Sequence, residues 1–284
     1  MLTLLAKALA YLSLPMIHRL GTAMGWLLHV CTPVSARIQR ENLKQSGLCA
    51  NKKALQRVVQ ANIAETGKSA LETLAIWQWS QEKVLPLVKT CHNWHLVKDA
   101  LARGKGLIFL TPHMGCFEIT SIYYAARHPI TVLFRPPKKS WLAPLIDMGR
   151  SKGQIKLAPA NVQGVRALMQ ALKKGEAIGI LPDQIPNEGD GEWADFFGKP
   201  AYTMTLAGKL AEKTGATVLM AFGERLANGQ GYEIHLSAVE TIATPTLLNK
   251  AVTECIAQKP EQYLWQYNRY KIRRGSQKKQ IELS

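Results

Sequence analysis

The sequence predicts an α/β fold in which a central, mainly parallel sheet is flanked by helices and preceded by a helical, hydrophobic N-terminus. Three observations point there. After Gly104, short apolar runs alternate with amphipathic stretches of helical length, the texture of strands that alternate with helices. Gly175 and Gly215 stand where helix ends need a residue that tolerates positive φ. Residues 1–36 carry two apolar stretches with few charges.

The first apolar stretch holds Leu2, Leu4, Leu5, Leu9, Leu12 and Leu14 and stops at Pro15; the second runs from Leu20 to Ala36 with Trp26, Leu27, Leu28 and Val30. Lys7 and Arg19 interrupt them, and neither reaches the ~20 apolar residues that cross a bilayer comfortably. The late Lys7 and the lack of a small-x-small cleavage site argue against a removed signal peptide. Two readings follow: a short or broken anchor lying in the membrane interface, or an ordinary buried helix pair. The division adopted is a membrane-associating segment at residues 1–36 and one domain at 37–284, made of a helical lead-in (37–101) and an α/β core (102–284).

In the lead-in, apolar residues recur at Leu55, Val58, Val59 and Ile63, then at Leu71, Leu74 and Ala75. In the core, residues 106–111, 130–134, 177–181, 217–222 and 232–236 read as strands, and 115–126, 141–151, 162–173 and 203–213 as helices. At the C-terminal end, Tyr263, Tyr267 and Tyr270 are spaced to share one helix face and interleave with Lys and Arg up to Arg274. Such rings beside cations suit a lipid headgroup layer or single-stranded nucleic acid. The apolar N-terminus favours membrane and speaks against nucleic acid.

The chain has 284 residues and a formal net charge of +16, which calls for an anionic partner. Its five cysteines are scattered and contain no C-x-x-C pair, so neither a disulfide framework nor a zinc ribbon is indicated. Cys91 and His95 could form a metal corner, but no second cluster completes four ligands. No metal or cofactor is expected.

The most informative residues lie just past the first core strand, in Thr111-Pro-His113-Met-Gly-Cys-Phe-Glu118. On one continuous helix, residues five apart would point about 140° away from each other. With 111–114 as a loop stiffened by Pro112, both side chains can turn toward one cleft, as a general base and its orienting carboxylate would. If the core strands are parallel, the residues after each fall at one sheet edge, where ligands bind in such sheets. Those residues are His113, Arg135, Asp183 and Arg225. A base, a carboxylate and two guanidinium groups describe a site that activates a nucleophile and grips an anion. No G-x-S-x-G, P-loop, G-x-G-x-x-G or H-E-x-x-H motif is present. Cys116 sits in an apolar neighbourhood and reads as a buried structural thiol rather than a nucleophile.

The run His113-x-x-x-x-Glu118 resembles the H-x4-[DE] signature of the glycerolipid acyltransferases. The chain as a whole is similar to their lipid A biosynthesis branch, the late acyltransferases. The matching segments are Phe134-Arg135-Pro-Pro, Asp147-Met-Gly-Arg150, Lys173-Lys-Gly-Glu-Ala-Ile-Gly-Ile-Leu-Pro-Asp183-Gln184, Phe197-Gly-Lys-Pro-Ala-Tyr202 and Pro260-Glu-Gln-Tyr-Leu-Trp265. They follow the family's order and span nearly the whole chain. Met220 stands where many relatives have proline.

The resemblance implies a glycerolipid-acyltransferase-like fold. It also implies transfer of a fatty acyl group from an acyl-carrier-protein thioester, or acyl-CoA, to a hydroxyl of a lipid A precursor at the cytoplasmic face of the bacterial inner membrane. The alternative is an acyltransferase acting on another lysolipid, an ornithine lipid or a lysophospholipid. By the same resemblance His113 is the base, Glu118 orients it, and Arg150 and Asp183 complete the catalytic group. Arg135 faces acceptor or carrier phosphate, and Lys138, Gln184 and Arg225 are expected to join it in binding substrate. The acidic, glycine-rich segment 187–193 is either a mobile loop over the site or an idle surface loop.

Overall fold

The fold is described from a computed structural model, which covers residues 2–137 and 143–271. Four helices lead: α1 (Leu2–Ala10), α2 (Leu14–Cys31), α3 (Pro33–Gln45) and α4 (Lys52–Gln78), the last started by Asn51, whose side chain accepts from the Ala54 N–H. Helix α2 lies unusually close to α4. A Cβ built on Gly67 would come within 1.9 Å of the Gly21 carbonyl oxygen, so only glycine permits this crossing. The Trp79 indole N–H donates to the Ala10 carbonyl and ties the end of α1 to the same support.

The chain then runs through α5 (Gln81–Val84), β1 (Val88–His92), α6 (His95–Ala102), β2 (Leu107–Leu110), α7 (Phe117–Ala125), β3 (Ile130–Phe134), α8 (Ala143–Arg150), β4 (Ile155–Pro159), α9 (Val162–Lys173) and β5 (Ala177–Ile180). After these come β6 (Gly191–Phe196), β7 (Lys199–Met204), α10 (Leu206–Thr214), β8 (Thr217–Arg225), β9 (Tyr232–Ala238) and α11 (Pro245–Gln258). The main sheet has the order β1-β9-β8-β2-β5-β3-β4, and β6 and β7 form a separate antiparallel pair. All contacts in the main sheet are parallel except β8 against β9.

Strand β2 sits near the centre and is buried on both faces, as its unbroken apolar run requires. Leu107 and Phe109 pack with α6 and α7 residues on one side, Ile108 and Leu110 with α9, α10 and α11 residues on the other. The mainly parallel sheet flanked by helices and the helical N-terminus agree with the sequence reading. Four strands escaped it for a physical reason: β1, β4, β6 and β7 are edge or hairpin strands with half-exposed, polar-rich faces, so they lack the apolar signal of central strands. Helix α11 was also passed over, although Thr244 caps it and Pro245 starts it.

Two local expectations fail. The 263–270 stretch is no helix: Tyr263 bridges to Met114, and Tyr263 and Trp265 are buried. Those rings serve the core because the segment braces the sheet rather than lying on it, so they are not free for a headgroup layer. The 187–193 segment is half strand, and the Tyr202 hydroxyl accepts from the Gly189 and Gly191 N–H groups and pins it.

Candidate active site

The loop after β2 is held by backbone bonds on every side. The Thr111 N–H continues the ladder to the Ile180 carbonyl, Gly115 N–H donates to Gln262 and Cys116 N–H to Gly223, while the His113 carbonyl accepts from Leu264. Gly115 has φ of 55°, and a Cβ there would lie 2.0 Å from the Gly223 carbonyl oxygen. Any other residue would push the loop off β8.

This frame presents His113 to Asp183, which follows β5. One Asp183 oxygen accepts from the His113 backbone N–H at 2.9 Å, and the other lies 2.8 Å from Nδ1. Asp183 is almost wholly buried. Burial alone would raise its pKa, but the charge and hydrogen bonds of His113 outweigh it and hold the carboxyl below its usual range. An ionised carboxylate can only accept, so Nδ1 carries a proton, and in the neutral imidazole Nε2 then keeps its lone pair. The Gln184 amide nitrogen lies 3.1 Å from that Nε2 and donates to it.

Glu118 does not orient the imidazole. It sits in the first turn of α7, and its Oε1 accepts from Arg150 Nε at 2.9 Å and Nη2 at 2.6 Å. The expected partnership of His113 and Glu118 is therefore replaced by two separate pairs, His113 with Asp183 and Glu118 with Arg150. The reason is topological, because Glu118 lies on the helix beyond the loop while Asp183 lies at the end of the strand hydrogen-bonded to β2. Arg150 ends α8, and its guanidinium also lies 5.7 Å from the Trp77 ring, within cation–π range.

Arg225 is a second correction. It is 4% exposed, and its guanidinium donates to Glu72, to Glu65 and to the Gly115 carbonyl. Burial would raise the Glu72 pKa, but Arg225 and then His18 bring it down to about 2. The guanidinium is thus a buried brace under the His113 loop, turned away from substrate. Arg135 is exposed at the end of β3 and makes one long contact, 3.5 Å to the Asn187 side-chain oxygen. Lys138 lies outside the described residues. Cys116 is buried, and burial pushes its thiol well up, in keeping with a structural role.

Two apolar spaces meet at this point. A groove of about 460 Å³ is walled by Leu2, Thr73, Trp77, Phe117, Ile146 and Leu264, with His113 in its lining. A narrow cavity of about 40 Å³ lies between Phe109, Phe117, Tyr124, Val132, Gly179 and Leu236, with Glu118 and Arg150 in its wall. The Phe117 ring borders both and lies 5.1 Å from the His113 ring. Neither Phe117 nor the direct contact of Gln184 was legible from spacing; the strand-end position of Gln184, next to Asp183, was the available signal.

The arrangement is an imidazole held by a buried carboxylate at the edge of an apolar groove. The model of the bacterial lipid A biosynthesis acyltransferases matches residues 2–272. The chain belongs to that family. It is accordingly an O-acyltransferase of the lipid A biosynthesis type. It is 25% identical over 269 residues to the lipid A biosynthesis lauroyltransferase of Escherichia coli (strain K12), covering 91% of this chain and 86% of that one. It has the same identity and coverage with the palmitoleoyltransferase of lipid A biosynthesis from that strain. A phosphatidylinositol mannoside acyltransferase of Mycobacterium tuberculosis is 24% identical over 163 residues, which span 56% of this chain and 51% of the relative.

Proposed function

We propose that this acyltransferase moves a fatty acyl group from a thioester on acyl carrier protein, or on CoA, to a hydroxyl of a lipid A precursor, with His113 as general base. The observation that carries the reading is the pair of hydrogen bonds that Asp183 accepts from His113, whose ring lines the groove; in the neutral imidazole they put the proton on Nδ1 and leave Nε2 as the acceptor. The acceptor hydroxyl displaces the Gln184 amide from Nε2 and gives its proton there as its oxygen attacks the thioester carbonyl. The carbon–sulfur bond then breaks, and the departing thiolate takes the proton from the imidazolium that Asp183 has stabilised. The products are an ester and a free thiol. The freed Gln184 N–H stands beside the reacting carbon, where a donor can support the oxyanion.

Substrate placement follows from the two spaces. The groove beside His113 is the space with room for lipid chains, and the narrow cavity beyond Phe117 adjoins it. Leu2 of α1 walls the groove, and Leu4, Leu5, Leu20, Trp26, Leu27 and Val30 are exposed on α1 and α2. None of the described helices is long and apolar enough to cross a membrane. These helices are therefore assigned to the interface of the inner membrane, on its cytoplasmic face, so that an acceptor reaches His113 without leaving apolar surroundings. Arg135 is available for acceptor or carrier phosphate, and the net charge of +16 suits an acidic carrier protein.

The test is turnover of purified protein with acyl-carrier thioester and lipid A precursor in mixed micelles, read by mass spectrometry. One added acyl chain is expected, with loss of about 10² to 10⁴ in rate for His113→Ala. Near-normal turnover by His113→Ala would dispose of the mechanism. Acylation of an ornithine lipid or lysophospholipid in place of the lipid A precursor would move the assignment to the alternative acceptor.

A further inference from the structure

Away from the His113 site, β1, β9 and β8 place an unusual set of side chains on one face. His92 of β1 is in register with His235 of β9. Two residues earlier on β9, on the same face, stands Glu233, which is opposite Glu224 of β8. Two carboxylates directly opposite on an antiparallel pair repel each other, so this arrangement needs positive charge. Lys259 supplies one, with Nζ 2.8 Å from Glu224. One ammonium there faces two carboxylates.

The two imidazoles face each other across β1 and β9. They stack with ring centroids 4.7 Å apart and planes at 14°, and Phe222 stacks on the outer side of His235 at 4.8 Å. Each Nε2 meets a carboxylate at 2.8 Å, His92 with Glu233 and His235 with Glu224. Donor atoms of His92, Glu233 and His235 all lie within 4.8 Å of one another. All three side chains are partly exposed, so an ion can reach them from solvent.

We propose that His92, Glu233 and His235 form a binding site for a divalent first-row transition cation, of which Zn²⁺ is the representative. Two imidazole nitrogens and one carboxylate oxygen, with water in the fourth position, make a donor set that such ions accept. The ion sits between His92 Nε2 and Glu233, and its charge offsets the facing carboxylates. Glu224 stays with Lys259 and with the imidazole of His235 as the outer partner that fixes ring orientation. The site ties the edge strand β1 to β9 and is independent of acyl transfer, since none of its ligands lines the groove or meets His113. The Cys91–His95 corner dismissed from the sequence is not part of it: Cys91 points to the opposite face, into the cavity under the sheet.

The experiment uses the full chain, stripped with chelator, and titrates it with Zn²⁺ by calorimetry and with Co²⁺ by visible absorption. One equivalent is expected to bind, with Co²⁺ bands of a low-coordinate nitrogen and oxygen site. Binding should weaken roughly 100-fold or more in His92→Gln/His235→Gln, and also in His92→Gln alone, a change at a half-exposed edge position that leaves the core untouched. His113→Ala should bind as the parent does. No stoichiometric binding by the parent chain, or binding that survives His92→Gln/His235→Gln, would overturn the proposal. So would loss of the site in His113→Ala, which would place the ion at the imidazole beside Asp183.

Discussion

Replacing Asp183 by Asn changes one oxygen for an NH₂ group and leaves the volume intact, so it isolates the carboxylate's part in catalysis. In the parent, the two oxygens accept from the His113 backbone N–H and from Nδ1–H. A carboxamide has one acceptor and one donor. If its oxygen keeps the backbone bond, its NH₂ faces Nδ1, and the ring proton must move to Nε2, the nitrogen that has to be empty. If it turns the other way, the backbone N–H meets NH₂ and the loop loses its anchor. A hydrogen bond to a charged group contributes about 1.5–3 kcal/mol, and the base itself about 10² to 10⁴ in rate. A fall in kcat of about 10³ to 10⁴, or roughly 4–5.5 kcal/mol of barrier at 1.36 kcal/mol per decade, is expected. The effect should fall on kcat rather than KM. Single-turnover transfer from acyl-carrier thioester, with thermal unfolding of the same sample as a check on folding, measures it. A folded Asp183→Asn enzyme within threefold of the parent would refute the assignment of Asp183 as the group that sets the tautomer.

The other predictions rest on the remaining ion pairs. Glu118→Gln and Arg150→Met should each lower turnover, and the double variant should be little worse than either alone, because both remove one bond set; a double-mutant cycle that shows simple additivity would break the pair. Arg225→Met leaves Glu72 buried without its main partner and should cost about 3–5 kcal/mol in urea unfolding. Arg135→Ala should leave stability within about 0.5 kcal/mol, as exposed sites do, while raising KM for the phosphorylated substrate. Acidification should remove a further contribution. The Glu72 pKa is about 2 in the folded chain and ~4.3 unfolded, so its ionised form stabilises fully above pH ~4.3. That contribution, on the order of 3 kcal/mol, is lost as pH falls toward 2. Asp183, also held below its usual range, adds in the same direction. Stability that is flat between pH 6 and 3 would contradict both.

The central strands, the parallel sheet and the place of His113 just past a strand end were legible because buried strands must be apolar along their whole length and their ends must turn. The edge strands were not, since a strand with one wet side has no such constraint. The N-terminal helices were legible as apolar, but their seating on α4 depends on Gly21 and Gly67 meeting at backbone contact, which a glycine in a sequence does not announce. Arg225 misled because position after a strand says where a backbone ends and not where a side chain goes. Strand β8 runs three residues beyond its expected end, and its last side chain turns beneath the loop to Glu72.

Register explains why the orienting acid comes from β5 rather than from the helix next in sequence. Strands β2 and β5 are parallel and pair Leu110 with Ile180. Residues at the same distance beyond those two ends therefore emerge side by side, and His113 and Asp183 are such residues. Glu118 is nearer in sequence, but it belongs to α7, whose first turn leaves the sheet and points its carboxylate toward α8 and Arg150. An imidazole placed this way is fixed by the sheet's hydrogen bonds, while the adjoining α7 is left to shape the apolar space through Phe117. The division suits the proposed reaction, in which the proton acceptor must hold still while the groove wall admits lipid.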